Sequence, residues 1–149
     1  MTQRILFVCL GNICRSPSAE GVVRQMAEAQ GLDLTLDSAG TGPWHVGESP
    51  YGPMQRTAAA RGYDLSGQRA RMIAAEDFQR FDLILAMDAD NLRTLQRMRP
   101  PQSDATLKLF TDYAPELHTD AVPDPYYTRD FDGTLTMVEA CAKGLIAQL

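Results

Sequence analysis

Cysteine, histidine and tryptophan are scarce in this chain: three, two and one among 149 residues. An odd, sparse set of thiols excludes a disulfide scaffold. The two histidines, His45 and His118, stand apart with no cluster at ligand spacing, so no metal is expected. The net charge is −5 and no run of Lys or Arg stands out, which removes support for nucleic-acid binding. No apolar stretch is long enough for a transmembrane helix. Residues 5–10 are too short for the apolar core of a signal peptide and lead straight into a loop. The expected location is therefore the cytoplasm, where a free thiol persists, with no membrane partner. Internal repeats, low-complexity tracts and linkers are also missing. What remains is ordinary for a globular protein, 44% hydrophobic and 22% charged, with a length that suits one domain over residues 1–149.

Strands alternate with helices along the chain. Residues 4–8 contain the apolar run Ile5-Leu6-Phe7-Val8 of a strand buried on both faces. Residues 17–30 read as a helix, with Ala19, Val22, Val23 and Met26 at helical spacing and Gly31 as its stop. Leu32, Leu34 and Leu36 alternate with polar residues in a second strand. A Gly- and Pro-rich loop over 41–53 precedes a short helix over 53–61, stopped by Gly62. Residues 81–87 form a third strand, 90–99 a helix and 106–110 a fourth strand. A Pro-rich connection over 114–127 then leads to a closing helix over 131–149. The run Asp88-Ala89-Asp90-Asn91 reads as a helix start rather than a calcium loop. This alternation implies an α/β fold: a three-layer α/β/α arrangement with a four-stranded parallel sheet, strand order 2-1-3-4. Ligands of such sheets bind beyond the strand C-termini at the switch point, here the end of strand 1.

Cys9 occupies that end. The stretch Cys9-Leu10-Gly11-Asn12-Ile13-Cys14-Arg15-Ser16 puts a thiol and a guanidinium at the two ends of a loop between strand and helix. Taken separately they are a buried structural cysteine and a surface arginine. The strand before them, the Gly-Asn between them and the Ser-Pro after them make a different unit. A short curled loop turns backbone N–H groups inward as an anion nest, and the following helix adds its positive end. Arg15 supplies a planar, bidentate contact to two phosphate oxygens. The field that holds a phosphate dianion also stabilises a thiolate at Cys9, the reactive form of the nucleophile. Gly11 permits close backbone approach and Asn12 tolerates a left-handed conformation. Ser16 reads as a helix N-cap with Pro17 at the first helical position, and its hydroxyl is also placed to donate to the Cys9 sulfur. The loop lacks the Gly-Lys-Ser/Thr ending of nucleotide-binding loops.

The stretch Val8-Cys9-Leu10-Gly11-Asn12-Ile13-Cys14-Arg15-Ser16-Pro17 resembles the signature of the low-molecular-weight protein tyrosine phosphatases. Asp124-Pro125-Tyr126-Tyr127 resembles the loop that carries that family's general acid. Asp37-Ser38-Ala39-Gly40-Thr41 and Phe81-Asp82-Leu83-Ile84-Leu85-Ala86-Met87-Asp88 are similar to further family segments, and the match runs in order from about Arg4 to the C-terminus. The resemblance implies Cys9 as nucleophile, Arg15 as the phosphoryl-binding cation, Asp124 as general acid, and Asn12 and Ser16 as loop-shaping residues. It implies no cofactor. One departure is visible: some relatives carry a His within the segment here spanning Ser66 to Arg71, where it partners the Asp-Ser aspartate. This chain has none there, so Asp37 must find another partner.

The implied reaction is hydrolysis of phosphotyrosine and small aryl phosphates through a phosphocysteine. The substrate is a tyrosine-phosphorylated protein, the loop holds phosphate or another oxyanion, and the chain acts as a monomer. Substrate-binding candidates are Leu10, Gly11, Asn12, Ile13, Cys14 and Ser16 in the loop. Trp44, Tyr126 and Tyr127 are candidates for the walls of a cleft for a phenyl ring. Out of this context Asp124 would be a turn aspartate before proline, and the aromatics ordinary packing residues. Cys14 is either a small buried residue or a redox partner that forms a disulfide with Cys9. Two other readings stay open: thiol-dependent arsenate reduction on the same fold, which uses further cysteines, and a non-catalytic phosphotyrosine-binding or redox-sensing module. Cys141, alone on the closing helix, does not supply the extra pair of thiols, and a pure binder has no use for Asp124.

Overall fold

The computed structural model describes residues 3–149. Its strands are β1 (Gln3–Cys9), β2 (Leu34–Gly40), β3 (Leu83–Ala86) and β4 (Thr106–Leu109). They form one sheet in the order β2-β1-β3-β4, parallel throughout. The helices are α1 (Arg15–Ala29), α2 (Gly52–Ala60), α3 (Asp77–Arg80), α4 (Ala89–Met98), α5 (Pro125–Thr128) and α6 (Phe131–Ala147). Short 3₁₀ turns follow β4 at Phe110–Tyr113 and Pro115–Leu117, the second within the Pro-rich connection.

Side chains of β1 alternate between two apolar layers, because successive residues of a strand point to opposite faces. Ile5, Phe7 and Cys9 join Val22 and Val23 of α1 and Leu135, Val138 and Leu145 of α6 in one layer. Leu6 and Val8 join Phe78 of α3, Ile84 and Ala86 of β3 and Leu95 of α4 in the other. Both faces of β1 are therefore covered, as its unbroken apolar run requires. Phe7 meets Phe110 edge-on, with ring centroids 5.5 Å apart. α6 closes so tightly on the turn after β4 that a Cβ at Gly144 would overlap the carbonyl of Tyr113.

Several element ends differ from the sequence reading. α1 begins at Arg15 rather than 17, with Cys14 at the N-cap and no side-chain cap hydrogen bond. Ser16 is not the cap, because its hydroxyl is engaged inside the loop. β2 omits Leu32 and runs on through Asp37-Ser38-Ala39-Gly40, which pair with Leu6 to Cys9. β3 is shorter than the apolar run, since Phe81 is the C-cap of α3. α3 has only four residues, too few to show helical periodicity. Gly31 and Gly62 both adopt positive φ at the helix ends where they were expected to stop α1 and α2. Among the described residues no helix is long and apolar enough to cross a membrane.

Candidate active site

The loop between β1 and α1 is held from inside by one side chain. Asn12 sits in the left-handed region at φ 57°, and every polar atom of its side chain is used. Its amide donates to Ser16 Oγ at 2.8 Å and to Ser38 Oγ at 2.9 Å. Its carbonyl oxygen accepts the Arg71 backbone N–H at 2.9 Å. Three chain segments are thereby tied to the crest of the loop, which stabilises a backbone geometry that most residues avoid.

Cys9 Sγ lies at the mouth of this loop. The Asn12 backbone N–H points at it from 3.3 Å, and Ser16 Oγ stands 3.1 Å away. Ser16 Oγ already accepts from Asn12, so its own proton is free for the sulfur or for the Ala39 carbonyl at 3.5 Å. When Cys9 is a thiolate, the Ser16 hydroxyl donates its hydrogen bond to the sulfur, since that contact is shorter and charge-assisted. Asn12 and Ser16 act from behind the loop; both are buried and neither lines the cavity.

Arg15 is 3% exposed. Its Nη1 donates to Asp88 Oδ2 at 2.7 Å and to the Val122 carbonyl at 3.1 Å, and its Nη2 faces Asp124 Oδ2 at 3.4 Å. Burial works against its charge, but Cys9, Asp88 and Asp124 outweigh that and raise its pKa above the ordinary guanidinium value. Asp124 caps α5, accepting the Tyr126 N–H at 3.1 Å through the carboxylate oxygen that Arg15 leaves free.

A cavity of about 270 Å³ opens above these groups. Its floor is Cys9, Leu10, Gly11, Ile13, Cys14 and Arg15, and its rim is Trp44, His45, Asp124, Tyr126 and Tyr127. Trp44 and Tyr127 are largely exposed, while Tyr126 is braced by Tyr51 and by the edge of Tyr127, with centroids 5.3 and 5.4 Å away. Cys14 is buried, and desolvation, reinforced by Cys9 and Asp124, pushes its thiol pKa up to about 12. Cys141 belongs to the α6 layer of the core and does not line the cavity.

Four side chains that act here had not been singled out from the sequence for any such role. Asp88 follows β3 and anchors Arg15. Its position just past a strand C-terminus at the sheet edge was the available signal. Arg71 answers the question left by the missing histidine. Its Nε bonds Asp37 at 3.1 Å, while both guanidinium ends bond the buried Asp77 at 2.9 and 3.0 Å. Gln68 accepts from Ser38 Oγ at 3.4 Å and donates to the Pro17 carbonyl at 3.0 Å. His45 lines the cavity with its Nδ1 3.1 Å from Glu48.

A thiol and a buried guanidinium on a strand–loop–helix turn, faced by a carboxylic acid, define a cysteine-dependent phosphoryl-transfer site on a parallel α/β sheet. The family model described as "Low molecular weight phosphotyrosine protein phosphatase" matches residues 4–149, and the chain belongs to that family, whose members are cysteine-dependent hydrolases. A curated relative is the low molecular weight protein-tyrosine-phosphatase of Streptomyces coelicolor, 46% identical over 154 residues, covering 99% of this chain and 93% of that one. Another is YfkJ of Bacillus subtilis, named as the same kind of enzyme, 38% identical with 97% and 94% covered. The crystal structure of YfkJ superposes with a TM-score of 0.94, covering 99% of this chain and 94% of its own, at 37% identity. A structure described as drosophila arginine phosphatase has a TM-score of 0.92 at 30% identity, with 97% and 96% covered.

Proposed function

We propose that this protein dephosphorylates phosphotyrosine in proteins, as one catalytic domain acting as a monomer in the reducing cytoplasm. The observation that carries the reading is the convergence on one cavity of Cys9, Arg15 and Asp124, with the sulfur already met by two hydrogen-bond donors. Cys9 thiolate attacks phosphorus in line. Arg15 and the loop amides hold the equatorial oxygens, where transition-state charge accumulates. As the S–P bond forms, the P–O bond to the tyrosyl group breaks and Asp124 gives its proton to the departing oxygen. Asp124 then takes a proton from water, the water oxygen bonds phosphorus, and the thiolate leaves with help from the Ser16 hydroxyl. No external oxidant, metal or organic group enters this balance.

The rim favours an aryl ester. Trp44, Tyr126 and Tyr127 offer apolar faces to a phenyl ring. The arginine phosphatase among the structural neighbours makes phosphoarginine the alternative substrate to test.

The experiment compares wild type, Cys9→Ser and Asp124→Ala on p-nitrophenyl phosphate, a phosphotyrosine peptide and a phosphoarginine peptide, with chelator and reductant present. The expected result is chelator-resistant hydrolysis of the two aryl phosphates, abolished in Cys9→Ser and strongly reduced in Asp124→Ala. Faster turnover of phosphoarginine would reassign the substrate, and an inactive wild type would overturn the enzyme reading.

A further inference from the structure

Trp44 is two-thirds exposed, yet its indole has a defined seat: it lies over Gly42. A Cβ built on Gly42 would overlap the ring at Cζ3, Cε3 and Cη2. The backbone at Gly42 is not left-handed, so the glycine is not there to relieve backbone strain. Its consequence is steric. The seat is also tied to the catalytic loop. The Gly42 N–H donates to the Leu10 carbonyl and the Thr41 N–H to the Cys9 carbonyl, each at 2.9 Å. Pro43, between seat and ring, fixes one of the intervening dihedrals. The position of the indole is therefore defined relative to Cys9 rather than left to a free loop. The neighbouring rim residue rests the same way: His45 Cδ2 lies 3.1 Å from where a Cβ on Gly11 would stand.

We infer that Gly42 is a positioning residue for substrate selection, whose missing Cβ lets Trp44 form a flat apolar wall for the aryl group of the phosphate ester. This inference rests on the phosphatase reading and names the residue that sets the alcohol side of its specificity. A side chain at position 42 lifts the indole from the wall without touching the phosphate-binding groups. The displaced group is an exposed side chain, so the fold accommodates the change.

The test uses Gly42→Ala, Trp44→Ala and the double variant. Gly42→Ala is expected to raise KM for p-nitrophenyl phosphate about three- to tenfold with a smaller change in kcat. Inhibition by inorganic phosphate, which reads the loop alone, stays within about twofold. Because the chain has one tryptophan, its emission and acrylamide quenching report the displacement directly. In the Trp44→Ala background, Gly42→Ala adds nothing further to KM. Unchanged emission and KM in Gly42→Ala would overturn the inference, as would an equal effect with and without the indole. A wild-type protein that hydrolyses no aryl phosphate would instead overturn the phosphatase reading and this inference with it, an outcome visible before any variant is made.

Discussion

Arg15 and Asp88 meet in a 2.7 Å hydrogen bond, and the same carboxylate caps α4 by accepting the Asn91 N–H at 2.8 Å. One aspartate thus anchors the buried guanidinium and starts the helix that follows β3. A hydrogen bond to a charged group contributes about 1.5–3 kcal/mol, so Asp88→Ala should lower kcat/KM for p-nitrophenyl phosphate by about ten- to a hundredfold. Loss of the cap should cost about a further 1 kcal/mol of stability. Asp88→Asn retains an acceptor and should fall between. Steady-state kinetics beside urea denaturation separates the two effects, and an Asp88→Ala enzyme within twofold of wild type would show that Arg15 holds its place unaided.

Arg71 neutralises two carboxylates, Asp37 and the almost fully buried Asp77, whose other bond is to the Ala74 N–H at 2.8 Å. Removing the cation leaves the buried Asp77 carboxylate with only the exposed Arg80, 4.0 Å away, to offset its charge. Arg71→Met should destabilise the protein by about 3 kcal/mol or more. The bond from the Arg71 backbone to Asn12 survives that substitution, so phosphate affinity of the folded variant should fall less than stability does. Urea midpoints and phosphate inhibition constants measured on one preparation check the contrast.

The thiols should differ sharply in reactivity. Cys14 and Cys141 both have pKa values pushed up to about 12, chiefly by burial. A raised thiol pKa keeps the proton on, leaving a thiolate fraction on the order of 10⁻⁴ or less near neutral pH. Cys9 faces two donors and an open cavity. Iodoacetamide at pH 7.5 should therefore alkylate Cys9 first, with inorganic phosphate protecting it, as read by peptide mass spectrometry. Modification of Cys14 at the same rate in the folded protein would contradict the assignment.

Tyr63 donates its phenol proton to Glu139 at 2.7 Å, and Arg61 bonds the other oxygen of that carboxylate at 2.6 Å, joining the end of α2 to α6. Desolvation first, and the bond to Glu139 second, raise the Tyr63 pKa from 10.0 to about 12. A group whose pKa is raised on folding contributes stability that is complete below its unfolded pKa and is lost as pH rises through the folded one. Tyr63→Phe should therefore cost about 1–2 kcal/mol between pH 6 and 9. The deficit should shrink between pH 10 and about 12. Chemical denaturation of both proteins across that range tests the sign.

How legible each feature was in the sequence follows from how far its partners lie along the chain. The loop from Cys9 to Ser16 is contiguous, so thiol, turn residues and guanidinium could be read together. The order of four parallel strands followed from their alternation with helices, because handedness leaves few ways to wind such a chain. Ser16 reads as a cap because a serine before proline is a local signal, whereas its partners in the structure include Asn12 across the turn. Asp88 and Arg71 went unassigned to the site because their partners lie 73 and 59 positions away.

By itself, the sequence determined the layered fold and the chemistry of the loop, since apolar alternation and a short run of reactive residues both act locally. Tertiary structure decided which distant side chains complete the site. The parallel sheet brings the C-terminal ends of β1, β2 and β3 to one edge, so Asp88, Arg71 and Ser38 reach a loop that they never approach in sequence. It also decided the seat of Trp44. Overlap between an indole and a missing Cβ is a fact about three-dimensional space, and spacing along the chain does not encode it.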